Sequence, residues 1–242
     1  ATKVAVYVLL RFMYGVFGSS FTFDSMPLQF ILMVLGALAV LSGSTIAVFQ
    51  HNIKRMLGYS SVAQIGYMIL GLSLASVSGL TATLVHILNH ALMKGGLFLA
   101  VACMAYQLGG VRLADLAGTG QRMPWTSAAF VVGGLSLIGV PLTAGFISKW
   151  MLVVAVLETG WWPLLIVIAA GSLLTVAYIW RVIEMIYFRS AATADGPPQE
   201  AHWSLLAPVW LLIAANIYFG IDTQWSVDVA RLAAQLLFGV HA

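Results

Sequence analysis

Apolar residues run through this chain in long blocks separated by short polar connections, and the blocks have the length of membrane spans rather than of amphipathic surface helices. A span needs about 20 apolar residues, and seven segments reach or approach that length: roughly 1–17, 27–49, 60–77, 80–106, 125–157, 161–188 and 204–221. Short Gly/Ser stretches such as Gly18-Ser19-Ser20 and residues 76–79 separate several of them. The longest polar stretch, 190–203, contains Asp195, Pro197, Pro198 and Glu200 and predicts a surface loop. After the last span, 226–240 predicts an interfacial helix with Arg231 on its polar face. The expected architecture is an all-α, multi-pass membrane protein of about seven spans. Its first part, 1–188, would form a transmembrane unit; the second, 189–242, would hold the polar loop, the final span and the tail.

Segment 125–157 is too long for one straight span. Its 33 residues would make a helix of about 50 Å, against roughly 30 Å of hydrocarbon. Gly139-Val140-Pro141-Leu142-Thr143-Ala144-Gly145 predicts a break. Pro141 has no N–H to donate, so the Leu137 carbonyl loses its helical partner, and Gly139 and Gly145 flank the site. Such breaks persist at membrane depth where the freed backbone is buried in protein or lines a cavity.

Composition narrows the class further. Hydrophobic residues make up 61% of the chain and charged residues 8%, with a mean hydropathy of +0.98, which no soluble domain of this size could bury. The net charge of +3 comes from scattered arginines and one Lys-Arg pair, so it orients a membrane protein rather than binding nucleic acid. Lys54, Arg55, Arg112, Arg122, Arg181 and Arg189 fall on one face if the seven segments alternate, and the positive-inside rule makes that face cytoplasmic. Asp24, Glu158, Asp222 and Asp228 fall opposite. Cys103 is the single cysteine, which leaves no internal disulfide and no cysteine metal site. The chain is expected to be part of a larger protein, because its first segment already reads as a span with a lysine inside it.

Candidate chemistry lies within the apolar blocks. Lys3, Lys94 and Lys149 are three of four lysines in the chain, and a cation at the centre of a span costs about 2.5–3.5 kcal/mol on insertion scales. His86, His90 and Lys94 recur at i, i+4 spacing and share one helical stripe. Histidine accepts and releases protons near neutral pH, and a lysine deprived of water can do so as well. A plainer reading makes the histidines interhelical hydrogen-bonding groups and lets Lys94 snorkel to a surface. Residues 95–106, mostly apolar, lie on its C-terminal side and argue against snorkelling. Lys3 could equally be interfacial, and Lys54 and Arg55 read more simply as orienting charges. The glycines read as close-packing sites and the terminal tryptophans as interfacial belts. No Walker loop, dinucleotide fingerprint, nucleophile elbow or haem-attachment motif occurs, so no cofactor and no metal ligands are expected.

Four ordered stretches carry a resemblance: 2–11 (TKVAVYVLLR), 51–67 (HNIKRMLGYSSVAQIGY), 84–98 with its His-Ala-Leu-Met-Lys, and 137–149 (LIGVPLTAGFISK). Together they resemble the antiporter-like membrane subunits shared by respiratory complex I and the multisubunit Mrp-type cation/proton antiporters, and within that family look most similar to the D component of the Mrp assemblies. The resemblance implies a fold of fourteen helices with two inverted five-helix repeats, of which this chain would supply the eighth helix onward. It makes Lys3 the lysine linking two half-channels, His86, His90 and Lys94 the polar stripe of the eleventh helix, and Lys149 the ionisable residue of the broken twelfth. The glutamate and lysine of the first repeat are not in this sequence. The implied function is proton translocation in exchange for Na+ or another monovalent cation, beside other membrane subunits in the inner (plasma) membrane of a bacterium. The alternatives are the same module in complex I or a membrane-bound hydrogenase, or a non-conducting scaffold.

Overall fold

The computed structural model describes residues 2–19, 21–26, 28–190 and 200–239. These form α1 (Thr2–Arg11), two π-helical turns (Phe12–Val16 and Phe21–Ser25), α2 (Leu28–Val48), α3 (Ile53–Ser73) and α4 (Val77–Leu108). A 3-10 turn (Leu113–Leu116) and the short α5 (Thr119–Arg122) follow, then α6 (Pro124–Ile138), α7 (Ala144–Glu158), α8 (Pro163–Phe188), α9 (Trp203–Ile221) and α10 (Gln224–Leu237). Each of the seven predicted segments is helical, and α2, α4, α8 and α9 are individually long and apolar enough to cross a membrane. Most of the predicted loop lies at 191–199, outside the described residues.

The helix starts follow from local chemistry. The Asn52 side chain accepts the Arg55 N–H at 3.2 Å, and Ser76 accepts the Gly79 N–H at 3.1 Å, the usual N-cap geometry. Pro124 and Pro163 stand at the first positions of α6 and α8, where no N–H is needed. Glu200 caps α6 from a distance, accepting the Trp125 N–H at 2.8 Å and the Thr126 hydroxyl. The Asn52 cap corrects the expected start of the second internal span. Lys54 and Arg55 belong to the first turn of α3, since both are good helix formers and Asn52 starts the helix ahead of them.

The packing is that of a protein in lipid. Phe30, Val34, Leu38, Leu41 on α2 and Ile166, Leu173, Trp180 on α8 face outward, while the interior collects serines, threonines, Gln64, Asn89 and Asn216. Helix α4 runs through the centre against α3, α6, α7, α9 and α10. Small residues set the tightest approach: a Cβ on Gly66 of α3 would come within 2.8 Å of the Gly36 carbonyl of α2, so the two helices meet backbone to backbone.

The basic residues gather as expected. Asn52 pairs with Arg112 in a short antiparallel bridge, with the Ile53 N–H on Val111 O at 3.0 Å and the Leu113 N–H on His51 O at 2.8 Å. The Gly118 N–H reaches Met185 O at 3.2 Å near the end of α8. The starts of α3 and α6 and the ends of α4 and α8 therefore share one face. The predicted tail helix is α10. Its small residues Ser226, Ala230 and Ala234 are buried, whereas Trp225, Val229, Leu232 and Leu236 are exposed at near-heptad spacing, so α10 packs by its small residues and turns an apolar face outward.

Candidate functional site: a buried line of lysine and histidine

The long segment breaks where Pro141 predicts. Helix α6 ends at Gly139, whose φ of 95° only glycine adopts without strain, and α7 restarts at Ala144. The freed carbonyls of Leu137 and Ile138 each accept a hydrogen bond from Lys149 Nζ at 2.9 Å. The break thus creates the acceptors that hold a buried ammonium. Ser172 of α8 lies 3.5 Å from the same nitrogen, and the Tyr67 ring stands 5.1 Å beneath it.

From Tyr67 the polar groups continue along α3 and α4. The Tyr67 and His86 rings meet edge to face at 6.1 Å. His86 is held from both sides, by Ser148 Oγ at 2.7 Å from Nδ1 and by Gln64 Oε1 at 3.0 Å from Nε2. With the Gln64 carbonyl facing it, Nε2 donates and Nδ1 accepts the Ser148 hydroxyl. His90 stacks on His86 with centroids 6.1 Å apart and planes 3° from parallel. Among the described residues neither ring nitrogen of His90 has a hydrogen-bond partner, although the residue is 1% exposed.

Lys94 closes the line one turn further on. Its Nζ donates to Leu57 O at 2.8 Å and to Ser60 Oγ on α3, with the Phe98 ring at 5.9 Å. At 2% exposure for Lys94 and 7% for Lys149, neither ammonium snorkels to a surface. Among the described residues the one ion pair is Arg189–Glu184, so both buried lysines rest on carbonyl and hydroxyl oxygens. Lys3 is half-buried on α1, a helix that packs against α3, and takes no part in these hydrogen bonds.

Several residues of this site were not singled out from the sequence: Gln64, Ser148, Ser60, Tyr67, Ser136 and Asn216. Ser136 ties the break together, accepting the Gly145 N–H at 3.2 Å and donating to Asn216 Oδ1 of α9 at 2.8 Å. Asn89 spans the same region, its amide donating to Ala144 O at 2.6 Å. A polar residue in every span was the available signal.

Such an arrangement can store and pass protons. Two protonated imidazoles 6.1 Å apart repel by about 3 kcal/mol at an effective dielectric constant near 20. Protonation of one ring would therefore disfavour protonation of the other.

Residues 1–175 match a family model described as NADH:quinone oxidoreductase/Mrp antiporter, transmembrane. NADH-quinone oxidoreductase subunit N of Desulforudis audaxviator is 41% identical over 221 residues, covering 88% of this chain and 43% of that protein. A protein in the Mrp complex of Dietzia sp. DQ12-45-1b superposes with a TM-score of 0.89 at 25% identity, over 98% of this chain and 52% of that one. A chain of the membrane-bound sulfane sulfur reductase, an archaeal respiratory membrane complex, gives 0.85 at 29% identity, over 96% and 46%. The chain spans about half the length of these proteins or less. The Mrp likeness expected from the sequence lies in the fold, whereas the curated relative carries the name of a quinone oxidoreductase subunit.

Proposed function

This chain belongs to the NADH:quinone oxidoreductase/Mrp antiporter transmembrane family, and from that premise we propose that it carries protons through the membrane along Lys149, His86, His90 and Lys94, with Lys3 as the link beyond α4. The observation that carries this reading is the unbroken burial of two lysines and two histidines on two packed helices, α4 and α7, with both lysines and His86 supported by neutral oxygens. A purely structural lysine would pair with a carboxylate or reach a surface.

Lys149 is the terminal group, exchanging protons with one side, and Lys94 passes charge toward Lys3. Gln64 and Ser148 hold His86 at the turn between the two. The protein works in the plasma membrane of a bacterium among other membrane subunits, with the basic face of Arg55, Arg112 and Arg122 toward the cytoplasm. Of the two assemblies, a redox-driven quinone oxidoreductase is favoured by the 41% identical relative; its redox chemistry belongs to other subunits. A second reading, the D component of an Mrp-type Na+/proton antiporter, is favoured by the 0.89 superposition.

The test is Lys149→Met in the full-length protein within its assembly, reconstituted in sealed vesicles. Proton flux at background level, with the assembly intact, is expected. Wild-type flux would sink the proposal and leave a non-conducting scaffold.

A further inference from the structure

We propose that this chain binds one zwitterionic phospholipid, its headgroup held between Glu158 and Arg231 and one acyl chain laid over Trp150 toward Lys149. Binding does not depend on the proton-carrying reading. Two neighbouring cavities have the shape and chemistry of the two ends of such a molecule.

The first, about 220 Å3, lies where the start of α4, the end of α7 and the interfacial helix α10 converge, and Ser78, Glu158, Arg231 and Gln235 give it polar walls. It holds one acid and one base on different helices, and among the described residues neither takes part in an ion pair. Glu158 is the last residue of α7, where the helix's own carbonyl end carries partial negative charge, so its carboxylate favours a cation beside it. Arg231 presents a planar fork suited to a phosphate. A guest with both a phosphate and an ammonium satisfies the two walls at once. A purely anionic headgroup would leave Glu158 facing like charge.

The second cavity, about 450 Å3, is open to the outside along α7 and α8, and Phe146, Val153, Leu173 and Val176 make its walls apolar. Lys149 and Ser172 also line it. Trp150 lines both cavities and is 57% exposed, which makes it the hinge of the combined site. From Glu158 to Lys149 is nine residues of α7, a rise of about 13.5 Å, and one leaflet of a bilayer contributes about 15 Å of hydrocarbon. A headgroup at Glu158 therefore sets the end of its acyl chain at the depth of Lys149. There the chain would seal the outer side of that lysine against lipid-borne water.

The experiment uses the full-length protein in its assembly, transferred to nanodiscs of equal parts phosphatidylethanolamine and phosphatidylglycerol, then stripped with mild detergent and measured for retained lipid by mass spectrometry. One phosphatidylethanolamine per chain retained over phosphatidylglycerol is expected, with roughly tenfold less in Arg231→Gln, in Glu158→Gln and in Trp150→Ala. All three side chains are exposed, so the variants fold. Soluble phosphoethanolamine at matched concentration should not displace the lipid. Equal retention of the two lipids, unchanged retention in Arg231→Gln and Glu158→Gln, or displacement by the soluble headgroup would each overturn the proposal. Proton flux measured in the same variants reports separately on the proton-carrying reading.

Discussion

Replacing Gly145 with alanine should destabilise the protein where the broken helix is joined. Gly145 sits in the first turn of α7, and an added Cβ would collide with the Ser136 carbonyl and lie 2.8 Å from Met93 Sδ. The first obstacle is backbone, so α6 and α7 must part. Overpacking of this kind costs about 1–3 kcal/mol. Separation also stretches the Gly145 N–H bond to Ser136 Oγ, 3.2 Å long, worth about 1 kcal/mol. Gly58 on α3 provides the contrast, because none of the described residues lies within 4 Å of its Cβ position, and alanine in a helix interior gains up to about 1 kcal/mol. The two single-methyl variants should therefore differ by about 2–5 kcal/mol. Denaturant unfolding of the full-length protein in detergent, followed by tryptophan fluorescence, measures both on one scale. Equal stability of Gly145→Ala and Gly58→Ala would refute the close approach of α6 and α7. Proton flux should fall with Gly145→Ala too, since parting these helices displaces the Leu137 and Ile138 carbonyls from Lys149.

Other substitutions probe single links. Ser148→Ala removes the 2.7 Å partner of His86; proton flux should drop several-fold while unfolding shifts by about 1 kcal/mol, read by vesicle acidification and denaturant titration. Gly139→Ala forces a side chain into a φ of 95° at about 1–2 kcal/mol and crowds Lys149 Cδ, 3.1 Å from the new atom, so both stability and flux should decline in the same assays. Glu200→Ala strips the cap from α6, where the carboxylate accepts the Trp125 N–H at 2.8 Å. A loss of about 1–2 kcal/mol is expected in unfolding, with flux per folded molecule unchanged.

The spans were legible because lipid imposes a length and a composition on every crossing helix. Segments 27–49, 161–188 and 204–221 match α2, α8 and α9 within two residues at each end. The break was legible because Pro141 removes a donor and glycines flank it. What the freed Leu137 carbonyl would accept was not, since Lys149 lies eight residues beyond Pro141 and only the fold turns it back. Gln64 and Ser148 escaped notice for a related reason. A lone polar residue in an apolar helix serves packing or a site equally well, and only the register of α3, α4 and α7 brings those two onto opposite nitrogens of His86. The first turn of α3 was missed because charged residues at a helix start look like a loop until Asn52 is recognised as the cap.

His90 separates a proton-carrying line from a merely structural one. It is buried, yet among the described residues neither ring nitrogen finds a hydrogen-bond partner, so His90→Leu removes an unsatisfied polar group and should leave stability unchanged or slightly raised. Proton flux through His90→Leu, in the full-length protein within its assembly in sealed vesicles, should nonetheless collapse by at least tenfold. Undiminished flux from that stable variant would mean that protons do not travel along His86, His90 and Lys94.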